Sequence, residues 1–442
     1  MRNILTILLF IFSFYSDSSA MTSITTGINN LVNSMVQKKV TDDVINDVHN
    51  ATRMGLQNQA LEGVNMPVVK DAFAGTQMLQ KTAQLLAQEY INIKDLSGRA
   101  LTVPKNPKRI ILTSARQIYW LSMVKKNPFE NVVGIDGSWW KYDNHFYNVL
   151  TKKFPNAKKI QNLGDGENTD FNAEYFIALN PDIVFMSAYN ANTIKVKAIV
   201  DKLKKFNIPV VFVSATNNLH LSNIQSLRLM GKIFNREKHI SELEDFILQN
   251  LNTVFYRINK NKTINRPKVI LQFSPGYSNT CCYIAGRDGF GRLLTDAGAD
   301  NWGDNTLQNG GVMNIEQIYV SNFDKVLVTG GAWSQAKPSK KFKFLELGYQ
   351  ANKQHLNKSF EYLNNRKYWK ELESVKNGET YGLWHQYNST PYAFLATIVM
   401  AKWFYPEKFI DFDTYKLMQE FHKKFMPFDM QGYLHIDQKE LK

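Results

Sequence analysis

The stretch from Arg236 to Lys260, REKHISELEDFILQNLNTVFYRINK, contains no Gly or Pro. Its apolar residues Ile240, Leu243, Ile247, Leu251, Val254 and Ile258 recur at steps of three and four, which puts them on one face of a helix about seven turns long. At 1.5 Å per residue that helix runs roughly 37 Å, well beyond the average helix of a compact domain. A helix of this length with a single apolar stripe reads as a strut that reaches from one lobe to another.

The sequence on either side of the strut partly repeats. NAEYFIALNPDIV (172–184) and NIEQIYVSNFDKV (314–326) agree at Asn172/Asn314, Glu174/Glu316, Asn180/Asn322, Asp182/Asp324 and Val184/Val326, always at one offset. Each copy has a polar start and a Glu, then a short apolar segment, a turn and a β-rich run, so each reads as a short helix feeding a buried strand. Matching order and matching predicted structure point to duplication. Two similar lobes then flank one helix.

The N-terminus reads as a targeting segment. Arg2 supplies a short positive region, Ile4 to Phe14 is an apolar run too short to span a bilayer comfortably, and Ser18-Ser19-Ala20 offers small residues for cleavage after Ala20. No Cys follows that site, so a lipid anchor is not expected, and the mature chain is expected to be soluble outside the cytoplasm; the alternative is a signal anchor left uncleaved. The net charge of +14 attracts anions. Export and the lack of a basic, aromatic-interleaved motif argue against nucleic acid, which leaves a small anionic ligand. The only cysteines, Cys281 and Cys282, are adjacent. Neighbouring Cα atoms lie about 3.8 Å apart, below the usual disulfide range, so two thiols are expected instead of a strained vicinal disulfide.

From residue 21 to about 95 the chain shows helical periodicity with Thr and Asp start signals and reads as a small helical extension; its Asn, Gln and Thr content also suits a partly disordered pro-region. From Ser97 onward, RIILTS, NVVGID, DIVFMS and PVVFVS, and after the strut KVILQF and KVLVTG, are short, continuous, β-branched runs. Strands of a sheet covered on both faces read this way. Parallel strands joined by right-handed crossovers bring their carboxyl ends to one edge, where ligands bind, and two such edges facing each other make a cleft. The fold class is α/β: two Rossmann-like lobes joined by one long helix, with an N-terminal helical extension. The expected division is 1–20 signal peptide, 21–95 extension, 96–235 first lobe, 236–262 connecting helix and 263–442 second lobe.

SGRALTVPKNPKRIIL (97–112), NVVGID, FNAEYFIALNPDIVFMS (171–187), LKKFNIPVVFVS, the long helix, GVMNIEQIYVSNFDKVLV and YWKELESVKNGETYGLWHQY with the later FYPEKF, in that order, resemble the helical-backbone periplasmic binding proteins. The resemblance covers roughly residues 96 to 425. It departs at Phe323-Asp324, where the first lobe has Pro181-Asp182, and at AGADNW (297–302), where the family often has a Gly-Gly turn. It implies a receptor for an ABC importer of ferric siderophores, haem or cobalamin, with Glu174 and Glu316 meeting arginines of the importer's membrane subunits. The same carboxylates also suit helix starts on their own account.

Candidate ligand residues cluster at strand ends. Trp139, Trp140, Tyr142, His145, Phe146 and Tyr147 crowd what reads as one loop after NVVGID, where they either pack on their own lobe or line a cleft for a planar ligand. Tyr277 and Trp333 hold matching edge positions in the second lobe. Arg116, after the first strand, suits a carboxylate or catecholate because a guanidinium offers a permanently charged fork; Arg287 and Arg292 are second-lobe candidates. His385, in WHQY, reads as either a structural residue or a ligand contact. GRDGFG (286–291) matches neither a P-loop nor GxGxxG and reads as a tight turn before a helix. There is no GxSxG elbow, no HExxH and no zinc-type Cys/His array.

The reading is a periplasmic, monomeric substrate-binding protein, not an enzyme, without cofactor, protein metal site or catalytic residue. It would capture a metal chelate, a ferric siderophore first, with haem and then cobalamin or a nickel complex behind, and deliver it to an ABC importer. A secreted α/β hydrolase is the alternative from another class; it needs a nucleophile or acid–base pair that the sequence does not assemble. An adhesive role for residues 21–95 is a third.

Overall fold

A computed structural model describes residues 89–164, 171–214, 218–259, 265–277, 282–334, 343–388 and 390–441, with the backbone alone at Trp139. The expected signal peptide and nearly all of the helical extension lie outside the described residues. The end of that extension is not helical, because Tyr90–Lys94 is a strand, β1, which pairs with β2 (Ala100–Pro104). Asp95 closes the turn between them by accepting the backbone N–H groups of Ser97 and Arg99.

The first lobe runs β3 (Ile110–Leu112), α1 (Gln117–Val124), β4 (Val132–Ile135), α2 (Trp139–Tyr142), α3 (Asn144–Lys153), β5 (Gln161–Asn162), α4 (Ala173–Ala178), β6 (Ile183–Ser187), α5 (Ile194–Lys205), β7 (Val210–Val213) and α6 (Leu219–Ile233). The connecting helix is α7 (Glu237–Asn259). The second lobe runs β8 (Lys268–Gln272), β9 (Tyr283–Ala285), α8 (Phe290–Asp296), β10 (Asp300–Asn301), β11 (Gly310–Val312), α9 (Ile315–Val320), β12 (Lys325–Gly330), α10 (Lys353–Asn364), α11 (Glu373–Lys376), β13 (Thr380–Trp384), α12 (Ala393–Phe404), α13 (Thr414–Phe425) and β14 (His435–Asp437).

The first sheet is wholly parallel in the order β5-β4-β3-β6-β7. Both its faces are covered, which is why its strands carry apolar residues without alternation. Ile111, Val184, Met186, Val210 and Phe212 pack on one side, and Ile110, Leu112, Ile183, Phe185, Val211 and Val213 on the other. Winding reverses at β3, so the chain beyond Leu112 opens a crevice at the carboxyl edge. In the second sheet, β11-β9-β8-β12-β13-β14 with β10 on β8, the centre β8-β12-β13 is parallel. Its margins β9, β11 and β14 are antiparallel. The connection from β8 to β9 is too short for the crossover that a parallel neighbour requires, so the chain returns as an antiparallel pair.

The duplication read from the sequence is structural. Asn172 and Asn314 cap α4 and α9 by accepting the N–H of Glu174 and Glu316 at 2.9 and 2.8 Å. Asp182 accepts the N–H groups of Lys108 and Arg109 ahead of β3, and Asp324 accepts that of Lys268 at the start of β8. The same side chains thus fasten each repeat to the first strand of its lobe.

Helix α7 buries the six residues of the expected stripe and Phe246 as well. At roughly 1.5–3 kcal/mol for each apolar side chain taken out of water, this face is a major source of cohesion. The strut is not free-standing, however: α7 packs on α6 and on α12, α12 also meets α6, and α13 meets α1. Helix α12, AFLATIVMAKWF, is apolar on every side because it lies in the middle of this package. One continuous core therefore crosses from lobe to lobe. Cys282 is disulfide-bonded, which corrects the expectation of free thiols; the one other cysteine of the chain is Cys281.

Candidate functional site

On the first lobe the site is built at the ends of β3 and β4. The buried Asp136 carboxylate accepts the N–H of Ala115 at 3.0 Å and that of Ser138 at 2.8 Å, tying the two strand ends together. This sets Arg116 at the N-cap of α1. The aromatic run expected as a loop is in fact two helices, α2 and α3, because Asp143 caps α3 by accepting the Phe146 N–H at 3.2 Å. Asp143 also takes a short hydrogen bond from the Tyr119 hydroxyl. Burial raises its carboxyl to about 7, against the opposing pull of the Tyr119 hydroxyl and the Phe146 N–H.

On the second lobe the site is built at the ends of β8, β12 and β13. Ser274 has a left-handed backbone, φ 43°, and its N–H donates to Thr329 Oγ1 at 2.8 Å. Gly276 follows with φ 81°, where a Cβ would stand 1.6 Å from the Lys343 carbonyl oxygen, so only glycine fits the turn that presents Tyr277. Tyr277 lies against Trp333, ring centroids 4.9 Å apart. The buried Trp333 also contacts Phe344 and His385 edge-on. His385 Nδ1 lies 3.0 Å from Thr329 Oγ1 and 3.3 Å from Ser274 Oγ. Burial first, then the Arg116 charge, hold its pKa down to about 3.

The lobes meet at the Tyr142 carbonyl, which accepts the Trp333 indole N–H and the Gln386 amide N–H, both at 3.0 Å. Arg116 Nε donates to Gln386 Oε1 at 3.1 Å. Nearby, Asn148 donates to Gln350 at 3.0 Å, and His145 faces Glu346 at 3.6 Å. His145 is a neutral partner, because burial, with a smaller contribution from the His355 charge, lowers its pKa to about 4. Gly348 makes this approach possible, since a Cβ there would stand 2.7 Å from His145 Nδ1. Tyr119 packs edge-on to Trp384 and Tyr392, and Phe146 lies against Tyr349, so these aromatics also bridge the lobes. The space beside Arg116, Tyr142 and Gln386 is only about 10 Å³, room for one water.

Of the residues singled out from the sequence, Arg116, Tyr142, Trp333 and His385 come together at this seam, with Tyr277 against Trp333. Trp139 and Trp140 occupy the first two positions of α2, and Trp140 is exposed with Lys141 Nζ 5.8 Å from its ring centre. Arg287 is exposed and paired with Asp304 at 3.4 Å, and Arg292 is paired with Asp296 at 2.8 Å. Gln386, Tyr119, Asp143, Ser274 and Thr329 were missed. Gln386 adjoins His385, but no spacing rule marks a glutamine that meets its partners only across the lobes. Ser274 and His385 do not have the makings of a hydrolytic pair: burial lowers the imidazole to about 3, a weak base near neutral pH, and among the described residues no carboxylate orients it.

Glu174 and Glu316 occupy the first turns of α4 and α9, both exposed. They differ in one respect: Lys202 of α5 pairs with Glu174, and its hydrogen bond lowers that carboxyl. Among the described residues no cluster of three or more His, Cys, Asp or Glu side chains could hold a metal, and no helix is long and apolar enough to cross a membrane.

No curated protein matches the chain. Solved structures share its fold. A TroA-like periplasmic binding protein, FepB, from Veillonella parvula has 24% identity and a TM-score of 0.70, over 78% of this chain and 99% of that one. The molybdate-bound MolA of Haemophilus influenzae has 18% identity and a TM-score of 0.59, over 77% and 99%. Helicobacter pylori CeuE in a nickel–histidine complex has 17% identity and a TM-score of 0.55, over 77% and 97%. The family described as "Periplasmic binding protein" matches residues 111–386. The two-lobed chain, closed at the Tyr142 seam, belongs to the periplasmic binding protein family, whose members bind a solute and work with the membrane components of ABC transporters.

Proposed function

We propose that this protein captures a metal chelate, a ferric siderophore ahead of haem and of cobalamin or a nickel complex, where the lobes meet, and that it delivers the chelate as a monomer, without a cofactor, to an ABC importer docking on Glu174 and Glu316. The observation that carries the reading is the set of donors converging on the Tyr142 carbonyl. Two neutral N–H groups, from Trp333 and Gln386, are already aimed at one oxygen, and the Arg116 cation stands beside them. An anionic, oxygen-rimmed ligand offers the same acceptor with more charge, and charge-assisted bonds of this kind are about twice as strong as neutral ones. The seam must open for it, because ligand pockets run to roughly 300–1,000 Å³. Tyr277, Trp333 and the exposed Trp140 supply aromatic surface for the ligand's rim.

The test is tryptophan fluorescence of the purified protein titrated with ferric catecholate and hydroxamate siderophores, haemin, cobalamin, Ni(II)–histidine and molybdate. Saturable one-to-one quenching by a ferric siderophore, without turnover, is expected. Preference for haemin would move the assignment to the second ligand, and no response to any member of the panel would sink it.

A further inference from the structure

The chemistry of His385 can be read from its hydrogen bonds. Thr329 is fully buried, and its hydroxyl oxygen already accepts the Ser274 N–H at 2.8 Å. A threonine hydroxyl has one proton to give, and His385 Nδ1, 3.0 Å away, is the acceptor that meets it. A proton on Nδ1 instead would leave the Thr329 hydroxyl hydrogen without an acceptor among the described residues, an arrangement that folded proteins avoid. The network therefore assigns a bare Nδ1 and a proton on Nε2. Ser274 holds a left-handed backbone, unusual for a serine, and in that conformation its N–H meets Thr329 and its hydroxyl lies 3.3 Å from the same Nδ1. The Phe273, Phe290 and Trp333 rings surround the imidazole. Nε2 has no hydrogen-bond partner among the described residues. Burial first, then the Arg116 charge, hold its pKa down to about 3, so the ring is neutral near pH 7.

We propose that His385 is an oxygen-reading residue: its Nε2–H gives a neutral hydrogen bond to an oxygen of the bound chelate, next to the Arg116 cation, and it does not ligate the metal. The ligand class that follows is an anionic, oxygen-rich chelate whose metal is already fully coordinated, such as a tris-catecholate, tris-hydroxamate or citrate complex. A bare ion, or a complex that needs a nitrogen from the protein, is disfavoured, because ligation would require moving the proton to Nδ1 and orphaning Thr329. This inference rests on the chelate-receptor reading above.

The experiment uses the full chain labelled with ¹⁵N-histidine, with the His385 signals assigned by His385→Gln. Long-range ¹H–¹⁵N spectra should show the Nε2–H tautomer in the free protein. The diamagnetic gallium(III) tris-catecholate should shift the Nε2 proton without removing it. The Kd for the ferric tris-catecholate should rise about tenfold or more in His385→Leu and stay within about threefold in His385→Gln, whose amide N–H replaces that of Nε2. Melting curves establish that both variants fold. An Nδ1–H tautomer overturns the proposal, as does loss of the Nε2 proton on binding, or a Gln variant as weak as the Leu variant. If ferric tris-catecholate, tris-hydroxamate and citrate all fail to bind the wild-type protein, the receptor reading falls and the ligand role falls with it, whereas the tautomer in the free protein is read independently.

Discussion

Trp333 is 3% exposed and Trp140 is 39% exposed, and the two residues answer different questions. Removing a buried tryptophan leaves a cavity and costs about 3–5 kcal/mol of stability, so Trp333→Ala is a poor probe of binding. Trp140→Ala should leave the melting temperature unchanged and weaken chelate affinity about tenfold, the size of one lost desolvated contact. Unaltered affinity in both Trp139→Ala and Trp140→Ala would give that segment to packing. Five histidines set the response to acid. Burial holds His145, His220, His422 and His435 down to about 4 and, with Arg116, His385 to about 3, from an ordinary 6.5. A depressed histidine contributes stability above pH 6.5 that is lost as pH falls towards its folded value. Asp143, raised to about 7, acts in the opposite direction: it stabilises at low pH, and that contribution is lost as pH rises from 3.8 to 7. The histidines outnumber it, so near pH 5 unfolding should take up roughly three to four protons, and stability should fall between pH 6.5 and 4. Denaturant melts across that range check the sign; a flat profile contradicts it.

Helices α4 and α9 show how two equivalent elements diverge. Their caps and first-turn carboxylates coincide, but among the described residues only Glu174 is held by a lysine of its own lobe. An exposed pair of this kind is weak, yet an importer arginine must displace Lys202 before it reaches Glu174. Glu316→Ala should therefore reduce uptake more than Glu174→Ala, and Lys202→Ala should raise importer affinity. The double change should abolish uptake while leaving chelate affinity nearly intact, because neither residue touches the seam. Transport assays at equal periplasmic abundance decide this, and normal uptake by the double variant would refute the docking role.

For the molecule as a whole, the continuous core and the uninterrupted α7 oppose a wide hinge. Opening the seam means parting Trp333 and Gln386 from Tyr142 while α7, α6 and α12 stay packed, which favours a small pivot. Small-angle scattering should give nearly the same radius of gyration with and without chelate. A large change on binding would mean that the helical package itself shears.

By itself, the sequence determined the elements and their duplication. The stripe from Ile240 to Ile258 could form only one buried face, strands apolar throughout had to be covered on both sides, and Asn172 and Asn314 marked the same cap twice. Those are local or periodic signals, set by backbone geometry within a few residues. The antiparallel margins of the second sheet and the disulfide at Cys282 were not legible, because each depends on where distant or adjoining backbone segments are led. The site was legible only in its edge positions. That Arg116 meets Gln386, that Tyr142 serves through its carbonyl and that Thr329 sets the proton of His385 were decided by the tertiary structure alone, since hydrogen bonds across lobes join residues whose separation in sequence carries no pattern.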